Sequence, residues 1–281
     1  LETSKKIFIV KPYGGLANRM RVISSLLWLK SKFNAELKVI WLANDELNAN
    51  YLDLFQIHPD FEVMEELGKY NYIKTSNQKN SIMKRLAKFI NNLIGVDYCV
   101  YDSDIYKGVD DILEIISHNS VIFFNTCEEI YQFDEGLRSI KIKSELVSRL
   151  DNISSNLNFD QDIIGVHIRR TDHNIAIKIS PLFLFENILE KEFDENPNTR
   201  AYIASDDLEI INHFKENYKN KVVFISKVFG RDTKEGIVDG LIELYLLSKT
   251  KKIYGSYWSS YSKVAGRLSG INVETLRLKN E

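Results

Sequence analysis

The chain has 281 residues, 44% of them hydrophobic and 27% charged, with a formal net charge of −2. Such a composition is that of a globular protein, and the length is a soft prior for about two domains, each able to bury its own core. It excludes a strongly basic nucleic-acid coat and a helical membrane span, since no run of about 18 apolar residues occurs. Cys99 and Cys127 are the only cysteines, too few for a disulfide framework. With no apolar core in Leu1-Glu2-Thr3-Ser4-Lys5-Lys6, a signal peptide is not expected and a reduced, cytoplasmic protein is.

Residues 6–11 (KIFIVK) read as a strand running into Pro12-Tyr13-Gly14-Gly15, a turn signal. From Asn18 to Phe33 the apolar residues Met20, Ile23, Leu26, Leu27 and Leu29 fall near helical spacing. A second strand follows over 37–42. Strand, glycine turn, helix and strand make a βαβ unit, which implies a parallel sheet with a right-handed crossover.

Between 68 and 96 the chain carries Lys69, Lys74, Lys79, Lys84, Arg85 and Lys88 and no Asp or Glu. Ile82, Met83, Leu86, Phe89, Ile90 and Leu93 share helical spacing within it, so a basic amphipathic helix is expected after a polar loop. The pattern favours a surface helix packed on the first domain. Its functional alternative is peripheral contact, through segment 69–93, with an anionic acceptor or an acidic membrane surface.

A strand is expected over 121–124 and a helix over 145–157. The polar stretch 156–162 is taken as the boundary between domains 1–158 and 159–281. In the second domain the pattern gives strands at 163–168, 200–204, 222–225, 252–254 and 273–276. The helices lie at 181–193, 207–218, 236–249 and 260–268. The fold class is α/β, with two Rossmann-like halves.

The densest polar cluster is Gly165-Val166-His167-Ile168-Arg169-Arg170-Thr171-Asp172-His173, where an apolar strand runs out. Alternation puts His167 and Arg169 on one face of that strand. Ligands of open α/β sheets bind beyond the carboxyl ends of strands, and the guanidinium fork suits a pair of phosphate oxygens. The competing reading is an ion-paired edge, with Arg170 neutralised by Asp172.

The run GVHIRRTD, residues 165–172, resembles the nucleotide-binding motif of the fucosyltransferase superfamily, above all the α1,6-fucosyltransferases and rhizobial Nod-factor enzymes. Gly14-Gly15-Leu16-Ala17-Asn18-Arg19 is similar to that family's first glycine-rich loop. Ala204-Ser205-Asp206-Asp207 resembles its second motif, and residues 236–248, 255–260 and 264–265 resemble its third. The resemblance implies a GT-B architecture of two facing Rossmann-like domains with an interdomain cleft. It implies a GDP-sugar donor, GDP-fucose above all, an acceptor that is a glycan or glycolipid precursor, and no nucleic-acid partner.

By that resemblance Arg169 holds the β-phosphate, with Arg170 beside it, and His167 lines the nucleoside site. Ser259 or Ser260 meets the same phosphate at a helix N-terminus, where free N–H groups favour anions; simple N-capping is the alternative. Glu243, with Asp239 one helical turn earlier as the alternate, accepts from the guanine edge. Asp206 and Asp207 sit near the ribose or support the arginine pair, and they also form a capping pattern with Glu209. Gly14, Gly15, Asn18 and Arg19 face the donor phosphates or the acceptor; the alternative there is a tight turn with Arg19 in solvent.

Inverting transfer is the expected reaction, with Arg169 stabilising the departing diphosphate. The glutamate that follows the arginine motif in the α1,6 enzymes has no counterpart, since no carboxylate stands between Asp172 and Glu186. Asp172, His173 and an acid of the first domain are the candidate bases. No metal is expected. Asp102-Ser103-Asp104 has the spacing of a metal-binding acidic tripeptide, but its context reads as a loop. A bacterial cytoplasmic transferase is the resulting expectation. The alternatives are another nucleotide sugar, or a non-catalytic nucleotide- or glycan-binding protein of the same fold.

Overall fold

A computed structural model describes residues 5–74, 81–159, 162–171 and 174–278 of the chain. They form two compact units, Leu1–Lys141 and Ile142–Glu281, each built on a five-stranded sheet in which every pairing is parallel.

The first unit runs β1 (Ile7–Pro12), α1 (Leu16–Phe33), β2 (Glu36–Ile40), α2 (Tyr51–Leu54), β3 (Glu62–Met64) and α3 (Ser81–Leu93). It continues with β4 (Tyr98–Tyr101), α4 (Asp102–Ile105), α5 (Val109–His118), β5 (Val121–Thr126) and α6 (Asp134–Ser139). Its sheet order is β3-β2-β1-β5-β4. The chain thus leaves β1 in one direction and later returns to its other side. Ile9, Ile40 and Phe123, from the three central strands, are all buried in one apolar cluster with Val96 and Cys99.

The second unit runs α7 (Ser144–Asn156), β6 (Ile163–Ile168), α8 (Asn174–Ile179), α9 (Leu182–Glu195), β7 (Arg200–Ser205) and α10 (Leu208–Tyr218). Then come β8 (Val222–Val223), α11 (Lys234–Leu247), β9 (Ile253–Ser256), α12 (Ser260–Ser269) and β10 (Val273–Leu276). Its sheet order is β10-β9-β6-β7-β8. All six residues of β6 are buried, as a central strand covered on both faces requires. The order reverses between β6 and β9, and such a switch point opens a crevice at the carboxyl ends of the two strands.

The boundary differs from the expected 158/159. α7 lies in the second unit, where Arg149 Nη2 is 2.5 Å from Asp239 Oδ1 of α11. A polar loop after a helix is a local signal, whereas α7 joins the second unit by packing on α11, across which this distant ion pair forms. Helix α1 also starts two residues before Asn18, with Gly15 in the N-cap position. The Asp102-Ser103-Asp104 tripeptide is not in a loop: it opens α4 directly after β4, whose short Tyr-Cys-Val-Tyr run gave no clear strand signal.

Candidate functional site at the strand switch point

β6 delivers its polar residues to the switch point. His167, its penultimate residue, is buried, with Nδ1 3.3 Å from Ser259 Oγ and its ring stacked on Tyr261 at 4.8 Å. Burial drives its pKa down to about 3; Asp206 opposes this, while Lys227, Arg169 and Arg231 reinforce it. The imidazole is therefore neutral at physiological pH, and the three cations felt at one ring mark a positive field.

Arg169 and Arg170 follow the strand on a backbone held from two sides. The Arg169 N–H donates to Ser256 Oγ at 2.9 Å, at the end of β9. The Arg170 N–H donates to Asp206 Oδ1 at 2.8 Å, and the Thr171 hydroxyl donates to Asp206 Oδ2 at 2.8 Å. Asp206 thus holds the turn that carries the arginine pair. Asp172, the expected partner of Arg170 in an ion-paired edge, lies outside the described residues. Arg170 Nη1 donates to the Arg169 carbonyl, its guanidinium lies 5.8 Å over the Phe185 ring, and its buried Nη2 has no partner among the described residues. Asp207 caps α10, its Oδ1 accepting from the Glu209 N–H at 2.8 Å.

From the other side of the crevice, α12 points its N-terminus past β9. A Cβ on Gly255 would collide with the Ser262 side chain, so this glycine lets the first turns of α12 lie close on the strand. Ser259 occupies the N-cap position but its hydroxyl does not cap the helix; it meets His167 instead. Ser260 is the first helical residue. Trp258, just before, is 61% exposed with φ of 55°, a left-handed conformation costly for a bulky residue. With Tyr257, Lys263, Thr275 and Arg277 it lines an open hollow of about 530 Å³.

Beneath lies a buried charge pair. Lys227 Nζ is 2.7 Å from both oxygens of Glu243 and also donates to the Ser205 carbonyl at 2.5 Å. Both side chains are 6% exposed. Burial raises the Glu243 pKa above the usual carboxylate range, opposed by Lys227 and by the Tyr261 hydroxyl. His167, Tyr261, Glu243, Lys227 and Ser205 are thus linked in one network. Lys227 was missed by the sequence reading, because nothing in its local sequence signals Glu243. Asp239, the alternate to Glu243, is taken up by Arg149 and by the Val228 N–H at 2.7 Å.

In the first unit the glycine loop follows β1 at that sheet's own switch point. Gly14 has φ of +80°, and a Cβ there would sit 2.9 Å from the Asn18 side-chain nitrogen, so glycine is required. Its N–H donates to Glu46 Oε2 at 2.9 Å. Arg19 is not in solvent: it is 1% exposed, 5.1 Å over the Trp41 ring. It donates to the carbonyls of Gly14 (2.9 Å) and Leu42 (2.6 Å) and to Asn44 Oδ1 (2.8 Å). Burial lowers its pKa to about 10. Arg19 braces the loop rather than presenting its charge; Asn18 is partly buried in the first turn of α1.

Asp102 accepts from Thr126 Oγ1 (2.5 Å), the Cys127 N–H (3.2 Å) and the Tyr13 hydroxyl, while Asp104 accepts from the Tyr101 N–H and pairs with Lys107. Among the described residues no group of three or more His, Cys, Asp or Glu is arranged to hold a metal ion. Asp172 and His173 lie outside the described residues.

Residues 130–251 match the family model described as alpha-(1,6)-fucosyltransferase N- and catalytic domains. No curated protein matches the chain by sequence. Among solved structures, the chain is similar to NodZ alpha-1,6-fucosyltransferase soaked with GDP-fucose. The identity is 16% and the TM-score 0.65, over 94% of this chain and 92% of that one; NodZ from Bradyrhizobium superposes with a TM-score of 0.64 at the same identity and coverage. A mutant of Arabidopsis thaliana FUT1 in complex with GDP is 14% identical, with a TM-score of 0.65 over 99% of this chain and 72% of that one. POFUT1 in complex with GDP is 13% identical, with a TM-score of 0.55 over 98% and 99%. Residues 130–251 are thus similar to the α-1,6-fucosyltransferase family, and the chain has the fold of these fucosyltransferase structures.

Proposed function

We propose that the protein is an inverting, metal-independent glycosyltransferase that moves fucose from GDP-fucose to a hydroxyl of a glycan or glycolipid precursor. The observation that carries this reading is a coincidence of place. The segment matched by the fucosyltransferase model ends in the same unit whose switch point gathers His167, Arg169, Arg170 and the uncapped N-terminus of α12.

In this reading the diphosphate lies between Arg169 and the start of α12. Ser259, Ser260 and the first N–H groups of the helix are the partners of the phosphate oxygens. Neutral His167 lines the nucleoside side. Glu243 accepts from the guanine N–H groups through the lone-pair directions that Lys227 leaves, since a carboxylate offers about four. Asp206 and Asp207 position the arginine turn and the ribose. The acceptor oxygen attacks the anomeric carbon and the bond from that carbon to the β-phosphate oxygen breaks. The electron pair leaves with GDP, whose growing charge Arg169 stabilises most in the transition state. The acceptor proton goes to a base, for which Asp172 and His173 are the nearest groups in sequence. Arg169 and the helix N-terminus supply the positive charge that a metal would otherwise bring.

One observation favours a non-catalytic binder: no carboxylate stands between Asp172 and Glu186. Release of GDP from GDP-fucose, measured with and without a chelator, separates the readings. Turnover or slow hydrolysis unchanged by chelator is the expected result. Release abolished by chelator contradicts metal independence, and GDP binding without any release supports the binder.

A further inference from the structure

Helix α3 turns its apolar side away from the protein. Ala87 and Asn91, one turn apart, are its buried face. Asn91 clamps the helix by accepting from the Lys74 N–H and donating to the Lys74 carbonyl, both at 3.0 Å. With that face held inward, the stripe Ile82, Leu86, Phe89 and Leu93 points outward. Ile82 is 72% exposed, Phe89 60% and Leu93 70%, and Met83 widens the stripe. Isolated exposed apolar side chains are common, but a contiguous row with spacing i, i+4, i+7 and i+11 is a contact surface.

The charges beside the stripe say what it meets. Arg85 borders it on the side away from Ala87, and Lys88 lies further round on the same side; both are exposed. Lys69 and the 64% exposed Tyr72 lie on the preceding turn, which Asn91 ties to the helix through Lys74. From 68 to 96 no acidic residue occurs. Two copies of this face would bring their Arg85 side chains together with no carboxylate of the segment to pair them, so self-association is disfavoured. An exposed apolar row on a helix whose exposed cations, Arg85 and Lys88, lie to one side of it in a segment without acidic residues matches the layering of an anionic bilayer surface: acyl chains beneath, acidic headgroups above. We propose that α3 docks the protein onto anionic lipid membranes, lying in the interface with Ile82, Leu86, Phe89 and Leu93 inserted. This surface belongs to the first unit and does not depend on the nucleotide reading.

Flotation of the full chain with vesicles tests it. Vesicles of phosphatidylcholine with phosphatidylglycerol should carry the protein at least ~10-fold more strongly than phosphatidylcholine alone, and salt should weaken the binding. The double variant Leu86→Ser/Phe89→Ser and the charge variant Arg85→Glu/Lys88→Glu should each lose at least ~10-fold in vesicle binding. Both alter exposed side chains, so their circular dichroism and GDP titrations should match the parent protein. The proposal is overturned if the parent stays unbound at every phosphatidylglycerol content, or if the variants float like the parent. A concentration-dependent dimer that the Leu86/Phe89 variant dissociates would also overturn it, since a second copy would then cover the face.

Discussion

Replacing Arg169 with alanine is expected to weaken GDP binding roughly 10- to 100-fold and to slow GDP-fucose turnover by more than that. The first figure follows from losing a hydrogen bond to a charged group, worth about 1.5–3 kcal/mol. The excess in turnover follows because the leaving diphosphate carries more charge in the transition state than in the bound sugar nucleotide. Folding should be little affected: the Arg169 side chain is partly exposed, and Ser256 grips the residue through its backbone N–H, which alanine retains. Arg169→Lys should recover part of the affinity and little of the rate, since an ammonium cannot present the planar fork. Isothermal titration with GDP and a GDP-release assay read the two effects separately. An alanine variant with parental affinity and rate would remove Arg169 from the phosphate site.

Glu243→Ala should be the most destabilising single change at the site. Lys227 would stay buried without its carboxylate partner, and breaking a buried pair costs about 3–5 kcal/mol. The remaining acceptor for Lys227 is the Ser205 carbonyl. Replacing both partners by apolar residues, as in Lys227→Met/Glu243→Leu, should recover much of that stability, because no charge is then stranded. Donor recognition should not return with it: the double variant is expected to fold and to have lost its preference for guanine. Denaturant melts and nucleotide titrations on the same set of proteins separate the two roles. A Glu243→Ala variant as stable as the parent would contradict the buried pair.

The sequence was most informative where side-chain pattern and backbone role coincide. Ile163–Ile168 and Val273–Leu276 match their expected spans because a short apolar run between turn residues leaves little choice. Tyr98–Tyr101 and Val109–His118 were not anticipated. The first is four residues long, and the acidic start of the second masks an amphipathic turn, with only Ile112 and Ile116 fully buried. At the site, the strand-end cluster around Arg169 was legible because its residues are consecutive. The Lys227–Glu243 pair was not, since its partners meet only when the segment after β8 folds over α11. Arg19 shows the opposite failure. An arginine after a glycine turn reads as a solvent or ligand cation, yet Trp41, Leu42 and Asn44 enclose it. The place of α7 in the second unit likewise depends on its packing against α11, where Arg149 reaches Asp239, a contact that no local composition shift reveals.

The central claim is that the switch point of the second sheet is a guanosine diphosphate site. Calorimetric titration of the parent protein with GDP, UDP and ADP tests it most directly. The account predicts saturable one-to-one binding of GDP, with UDP and ADP at least ~10-fold weaker, because Glu243 accepts from guanine donors that the other bases do not present in the same pattern. Equal affinity for the three nucleotides, or no binding of GDP, would contradict it.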